Sequence, residues 1–149
     1  MLNALFPTQA DNTYAGHTAA LWLLGILIAL KALVSVGSIF NGHTAATSAD
    51  GIPLDTYPEA AARTILALFA LVGIARLIAS IVAAVVLVRY RSLVPLMFVL
   101  FLLEQLGRQV VLWALPVART GGTSGVVING ALLAMMVVGL GLSLWKRVA

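Results

Sequence analysis

The amino-acid sequence predicts an all-α integral membrane protein, an up-down bundle of four transmembrane helices. Three observations lead to this prediction: only 9% of the 149 residues are charged, 62% are hydrophobic, and the apolar residues fall into four long windows. A soluble domain carries roughly 25% charged residues, so lipid must be the solvent for most of this chain. Runs such as IVAAVVLV (81–88) lack the alternation of barrel strands, which leaves helices as the spanning elements.

Each window is close to the ~20 apolar residues that cross a hydrocarbon core of ~30 Å. We expect helices at about 18–40, 60–88, 93–117 and 125–145, with an outer loop at 41–59. Because these segments use most of the chain, we predict a single membrane domain. The second window is longer than a bilayer requires, which predicts a tilted or protruding helix.

The loop at 41–59 carries turn and capping signals. Asp50-Gly51 is typical of a turn, and Thr56 followed by Glu59 has the spacing of a capping box that opens the second helix. Several residue types of this loop can ligate a metal, but scattered polar residues are typical of any solvated loop, and we expect no metal site. The residues concerned are His43, Asp50, Asp55 and Glu59.

The basic residues outside the spans predict the orientation. Four of them fall on the side that holds both termini, and two fall on the side of the long loop. Because short cytoplasmic loops are enriched in Lys and Arg, we expect both termini in the cytoplasm, in a bacterial inner (plasma) membrane. The two sets are Arg89, Arg91, Lys146 and Arg147 on the first side, and Arg63 and Arg119 on the second.

Small residues recur at four-residue spacing on two helices, as Ala75, Ala79 and Ala83 and as Gly130 and Ala134. Small residues let helix backbones approach closely where lipid supplies no hydrophobic drive. We expect tight packing inside one bundle, while a homo-oligomer contact through these positions stays open.

A band of charged residues lies halfway along three of the predicted helices. Lys31, Arg76 and Glu104 each fall near the middle of a window, and Arg108 lies one helical turn beyond Glu104. Each charge that faced lipid would cost at least ~2.5–3.5 kcal/mol, so we expect these side chains to face the bundle interior and to meet one another. Hydroxyls and amides extend the same polar stripes. The residues predicted to form this site are Lys31, Ser35, Ser38, Arg76, Glu104, Gln105, Arg108, Gln109 and Asn129.

The charges of this band do not balance, because three cations share it with one carboxylate. Glu104 can pair with Arg108 on its own helix or with a cation across the bundle, and at least one cation then needs another partner. Amide and hydroxyl dipoles, backbone carbonyls, water, a neutral Lys31 or an external anion could each meet that need. We therefore predict a net-positive polar site at mid-membrane that binds or moves an anionic small molecule or lipid headgroup, entered from the outer side.

Two alternatives stay open. The buried charges can be purely structural, in a non-catalytic membrane scaffold or accessory subunit that binds a membrane-protein partner. The segment AARTILALFALVGIAR (61–76), about a tenth of the chain, resembles the second helix of the four-helix endoplasmic-reticulum scaffold family that tethers sterol-synthesis enzymes. The resemblance rests on Ala-Arg-Thr at 62–64 and on the spacing of Arg63 from Arg76, and it implies a partner-binding role. The second alternative is a membrane enzyme with Glu104 as general acid or base, although no nucleophile or phosphate-binding loop accompanies it.

Several kinds of site are excluded by residue type. The sequence contains no cysteine, which excludes disulfides, thiolate metal sites and thiol catalysis. Both histidines, His17 and His43, flank the first helix, so neither lies within a span to ligate a haem, and we expect no cofactor. The pI of about 10.1 arises from nine scattered Lys and Arg residues and not from a basic face, so we expect membrane lipids rather than nucleic acid as partners.

Overall fold

The protein is all-helical, and four long helices make up most of the computed structural model. The structure describes residues 5–117, 119–120 and 124–145, and this part of the chain contains no strand. Each long helix is apolar and long enough to cross a membrane, which confirms the predicted fold class. The helices are α1 (Thr18–Phe40), α2 (Glu59–Arg89), α3 (Val94–Ala114) and α4 (Ser124–Leu144).

The first turn of α2 is capped differently from the prediction. Pro58 occupies the N-cap position without a side-chain cap. Thr56 instead donates its hydroxyl hydrogen to the carbonyl oxygen of Pro53 at 2.8 Å, and Glu59 accepts from Arg63 at 2.6 Å. The capping box that the spacing indicated is therefore absent, because both side chains have other local partners.

The third helix ends at Ala114, before the predicted boundary at 117. Leu115 leaves the helical region, with φ −124° and ψ 78°, because the ring of Pro116 disfavours helical geometry in the residue before it. At the opposite end Pro95 lies in the first turn of α3, where its missing N–H would have had no helical partner.

The helices surround a core that is apolar in one half and polar in the other. α1 packs along α2 and α4, and α3 packs on α4, whereas α2 and α3 make far fewer contacts with each other. We call the end with the α2–α3 turn, the start of α1 and the end of α4 the terminal end, and the end with the loop at 41–58 the loop end. The half nearest the terminal end is filled by Leu24, Leu27, Phe98, Phe101 and Met136, all of them buried.

The segment before α1 covers the terminal end of the bundle. Its Asp11 exchanges hydrogen bonds with Ser92 in the α2–α3 turn, at 3.0 Å in both directions. The backbone N–H of His17 donates to the carbonyl oxygen of Leu142 at 3.0 Å. Burial raises the pKa of the neighbouring Tyr14 phenol to about 12. These contacts close the core on the terminal side.

The small residues divide between packing positions and exposed ones. Ala83 is fully buried, and a Cβ on Gly73 would meet the carbonyl oxygen of Ser35 at 3.0 Å, so α1 and α2 approach closely there. Ala75 of α2 and Gly130 and Ala134 of α4 are exposed. The packing expected inside the bundle is therefore wrong at these three positions, because they face outward.

Candidate functional site

The half of the bundle nearest the loop end contains a cavity of about 680 Å³. This volume lies in the range of small-molecule sites, roughly 300–1,000 Å³. All four long helices and the loop contribute to its walls. The charged residues that line it are Lys31, Asp50, Arg76, Arg108 and Arg119.

The loop at 41–58 folds back over this cavity and brings Asp50 to it. A five-residue π-helical turn, Ala45–Ala49, precedes Asp50, and the buried Ala46 anchors that turn against the bundle. Gly51 follows with a φ of 69°, a left-handed conformation that favours glycine. The predicted Asp50-Gly51 turn thus sets the direction in which the Asp50 carboxylate points.

Glu104 bridges two cations from different helices. Its Oε2 accepts a hydrogen bond from Lys31 Nζ at 2.8 Å, and its Oε1 accepts one from Arg76 Nε at 2.9 Å. The Lys31 ammonium also lies 4.7 Å from the centroid of the Phe101 ring, within the range of a cation–π contact. Glu104 does not line the cavity, so it holds the two cations from behind.

Arg108 has a separate set of partners. Its Nη2 lies 3.2 Å from Asp50 Oδ1, and its Nη1 donates to Asn129 Oδ1 at 2.6 Å. Gln105 donates to the same Asn129 oxygen at 3.3 Å. Asn129 in turn donates to the carbonyl oxygen of Gly125 at 2.6 Å, which fixes the orientation of its amide. The guanidinium is therefore held between α4 and the loop.

The fixed charges around the cavity sum to a positive value. Lys31, Arg76 and Arg108 carry three positive charges, and Glu104 and Asp50 carry two negative charges. The exposed Arg119 adds a further positive charge where it lines the cavity. Among the described residues no buried side-chain nitrogen or oxygen lacks a hydrogen-bond partner. The site is thus satisfied in hydrogen bonds and unbalanced in formal charge.

The predicted site residues separate into three groups. Those that line the cavity are Lys31, Ser38, Arg76, Gln105, Arg108 and Asn129. Two others lie outside the cavity: Glu104, which pairs with Lys31 and Arg76, and Ser35, which is buried. Ser35 and Ser38 each donate a hydroxyl hydrogen to a carbonyl oxygen of their own helix, at 2.6 and 3.0 Å respectively. Gln109 is exposed and does not line the cavity. It lies about 40° beyond the buried Gln105 around α3, which turns it out of the bundle.

Asp50 and Arg119 line the cavity although neither belongs to the predicted site. Both lie in connections between helices, and a helical wheel places only residues within helices. The available signal was the excess of cations over carboxylates in the band, because one cation needed a further partner and Asp50 is an acid of the loop that adjoins the band.

The fold and site define a small four-helix membrane protein with a cation-lined cavity in one half of its span. No protein-family model, curated protein or solved structure matches the chain. The resemblance of segment 61–76 to the scaffold family therefore gains no support from these comparisons. In this segment Arg63 is exposed and pairs with Glu59, whereas Arg76 lines the cavity.

Proposed function

We propose that this protein binds an anion in the cavity at the loop end of its bundle. The observation that carries the proposal is the gathering of Lys31, Arg76 and Arg108 around one cavity, where two carboxylates, Glu104 and Asp50, leave a net positive charge. A bound phosphate or carboxylate would balance this charge. Charge-assisted hydrogen bonds from Arg and Lys are among the stronger polar contacts available to such a ligand.

The two carboxylates would respond differently to a ligand. Glu104 contacts its cations at 2.8 and 2.9 Å from outside the cavity, so an entering anion can meet Lys31 and Arg76 without displacing it. Asp50 lines the cavity and contacts Arg108 at the longer distance of 3.2 Å. A ligand therefore competes with Asp50 for the guanidinium, and we expect the loop to shift when it binds.

Binding is favoured over passage through the bundle. Between the cavity and the terminal end, the core is filled by large apolar side chains with no exposed surface, including Leu24, Leu27 and Phe98. The segment before α1 covers the terminal end through the Asp11 and His17 hydrogen bonds. Transport of an anion across the bilayer would require both barriers to open, whereas binding within the cavity requires neither.

The charges outside the spans support the predicted orientation. Arg89 and Arg91 are exposed at the terminal end, and Lys146 and Arg147, which the sequence also assigns to this side, lie outside the described residues. Because positive residues favour the cytoplasm, we propose that both termini are cytoplasmic and that the cavity lies in the outer half of a bacterial inner membrane.

The enzyme alternative is less favoured by the contacts of Glu104. Each of its carboxylate oxygens accepts from a cation, and the side chain does not line the cavity. A general acid or base must reach the proton that it transfers. Glu104 is better placed as a fixed counter-charge for Lys31 and Arg76.

Binding can be tested on the purified full chain with inorganic phosphate, by thermal unfolding and native mass spectrometry. Phosphate at 100 times its Kd stabilises a one-site protein by ~2.7 kcal/mol, so we expect a rise in Tm for the wild type. Arg108→Gln should lose most of this rise. Arg63→Gln should keep it, because Arg63 is exposed and pairs with Glu59 away from the cavity.

Native mass spectrometry should also detect an anionic metabolite or lipid that co-purifies with the wild type and is depleted in Arg108→Gln. The proposal is wrong if phosphate leaves the wild-type Tm unchanged and no anionic species co-purifies. It is also wrong if phosphate shifts the Tm of all three proteins equally, because binding would then not involve the cavity.

A further inference from the structure

The cavity is larger and more apolar than a bare anion requires. Its volume of about 680 Å³ equals that of roughly 20 liquid water molecules at ~30 Å³ each, whereas a phosphate ion fills only a small part of this space. The cations are confined to a few positions, and most of the remaining wall is hydrocarbon. The larger apolar side chains that line it are Val34, Ile52, Leu68, Phe69, Val72, Leu112, Val117, Ile128 and Leu132.

One side of the cavity, between α2 and α3, is open to the surroundings of the bundle. Leu68 and Val72 of α2 line the cavity, yet their exposed fractions are 55% and 49%. These values match the 56% of Ile81, a residue of α2 that lies outside the cavity and faces outward. A side chain enclosed by neighbouring helices would be far less exposed, so this wall of the cavity is incomplete.

The opening follows from how α2 and α3 are joined. The turn at 90–93 holds the helices together at the terminal end, where Ala83 and Val86 share the buried core with Phe98. Toward the loop end α2 packs instead against α1, with Gly73 at the close approach. The two helices therefore separate with distance from the turn, and the cavity occupies the space between them.

Charged side chains lie at the base of this opening, and the cations among them outnumber the carboxylates. Arg76 lines the cavity and pairs with Glu104 across the α2–α3 interval. Arg108 lies one helical turn beyond Glu104 on α3, toward the loop end. A molecule that entered between the helices from the bilayer would thus have cations beside its polar end and apolar side chains along the rest of its length.

We propose that the anion bound by this site is the headgroup of a membrane lipid, a phosphate-bearing amphiphile that enters between α2 and α3. The inference rests on the proposed anion site and adds the class of ligand. The headgroup contacts Arg76 and Arg108 inside the cavity, and the acyl chains leave past Leu68 and Val72 into the bilayer. A lipid suits this arrangement because its chains never leave hydrocarbon, whereas a soluble anion leaves the apolar wall unoccupied.

The test compares two ligands that share a headgroup, dioleoylphosphatidate and glycerol 3-phosphate. Their binding to the full chain is measured by native mass spectrometry and by thermal unfolding in phosphatidylcholine nanodiscs. We expect the lipid to bind at least about tenfold more tightly, a difference of ~1.4 kcal/mol. Arg108→Gln should weaken both ligands, because both use the same cation.

Tryptophan substitutions at Leu68 and Val72, made singly and together, should fill the opening. We expect them to weaken dioleoylphosphatidate about tenfold and to weaken glycerol 3-phosphate by less, so that the ratio of the two affinities falls. Leu71→Trp is the matched control, because Leu71 is 61% exposed on the same helix and does not line the cavity. The single variants keep the test readable if the double variant does not fold.

The outcomes separate the two proposals. Equal binding of both ligands, with dependence on Arg108, overturns the lipid assignment and leaves the anion site intact. Loss of dioleoylphosphatidate binding in Leu71→Trp to the same extent as in Leu68→Trp also overturns it, because entry would then not depend on the opening. Absence of binding by either ligand overturns both proposals together.

Discussion

Replacing Glu104 by glutamine removes the carboxylate that Lys31 and Arg76 share while keeping the shape of the side chain. The two cations, at 2.8 and 2.9 Å from its oxygens, would then face each other across a neutral amide. Loss of one partner from a buried ion pair costs about 3–5 kcal/mol. We expect Glu104→Gln to lower the free energy of unfolding by ~3 kcal/mol, at the lower end of this range, because Glu104 is 30% exposed and the amide oxygen still accepts one hydrogen bond.

The free energy of unfolding can be measured by titration with sodium dodecyl sulfate in mixed micelles, followed by tryptophan fluorescence. A double-mutant cycle with Lys31→Met isolates the pair. Because that substitution removes one of the two cations left unpaired, we expect the double variant to be ~1–2 kcal/mol more stable than the sum of the single effects predicts. Glu59→Gln, at an exposed pair with Arg63, should change stability by less than ~1 kcal/mol.

The same variant links stability to binding. Glu104→Gln raises the net charge around the cavity by one unit, so inorganic phosphate should restore more stability to this variant than to the wild type. The reasoning is refuted if Glu104→Gln is as stable as the wild type, or if its effect and that of Lys31→Met add to within ~0.5 kcal/mol. Either result would mean that the contacts do not stabilise the bundle.

Three further predictions concern other parts of the molecule. Gly73→Ala should lower the free energy of unfolding by ~1–3 kcal/mol in the detergent titration, because the new Cβ would meet the α1 backbone at 3.0 Å. Gly37→Ala, whose Cβ would have nothing within 4 Å, should not lower it. Equal effects of the two variants would contradict close packing of α1 on α2. Asp50→Asn should raise phosphate affinity about threefold to tenfold, because it frees the Arg108 guanidinium that Asp50 contacts. Asp55→Asn on the same loop should leave phosphate affinity unchanged. A loss of affinity in Asp50→Asn would show that the Asp50 carboxylate assists binding. Burial raises the pKa of Tyr14 from 10.0 to about 12, so the neutral phenol favours the folded state. The stability that it contributes should be fully present below pH ~10 and should fall as the pH rises towards 12. The same fall in a Tyr14→Phe variant would contradict this assignment.

Hydropathy was sufficient to predict the four spanning helices, because lipid forces every backbone polar group to be satisfied within a helix. The places where prediction and structure differ depend on local stereochemistry. Pro116 ends α3 early through the geometry of the residue before it. Thr56 has a backbone partner nearer than the one that a capping box requires.

The sequence predicted a site residue correctly only where its depth in the membrane and its position around the helix determine which residues it meets. Depth placed Lys31, Arg76 and Glu104 in one band, and the structure joins them through two ion pairs. The partner of Arg108 could not be deduced, because Asp50 reaches it through the fold of a loop. Gln109 lies beyond the edge of the buried face, and the width of that face depends on how α4 packs against α3.

The most direct test of anion binding by the cations of the cavity is a crystal structure of the full chain with bromide in place of other anions. Bromide is located by its anomalous scattering, independently of water. We expect an anomalous peak inside the cavity, in contact with Arg108 and with Lys31 or Arg76, which is lost in Arg108→Gln. Bromide peaks confined to the exposed arginines at the helix ends, with none in the cavity, would contradict it.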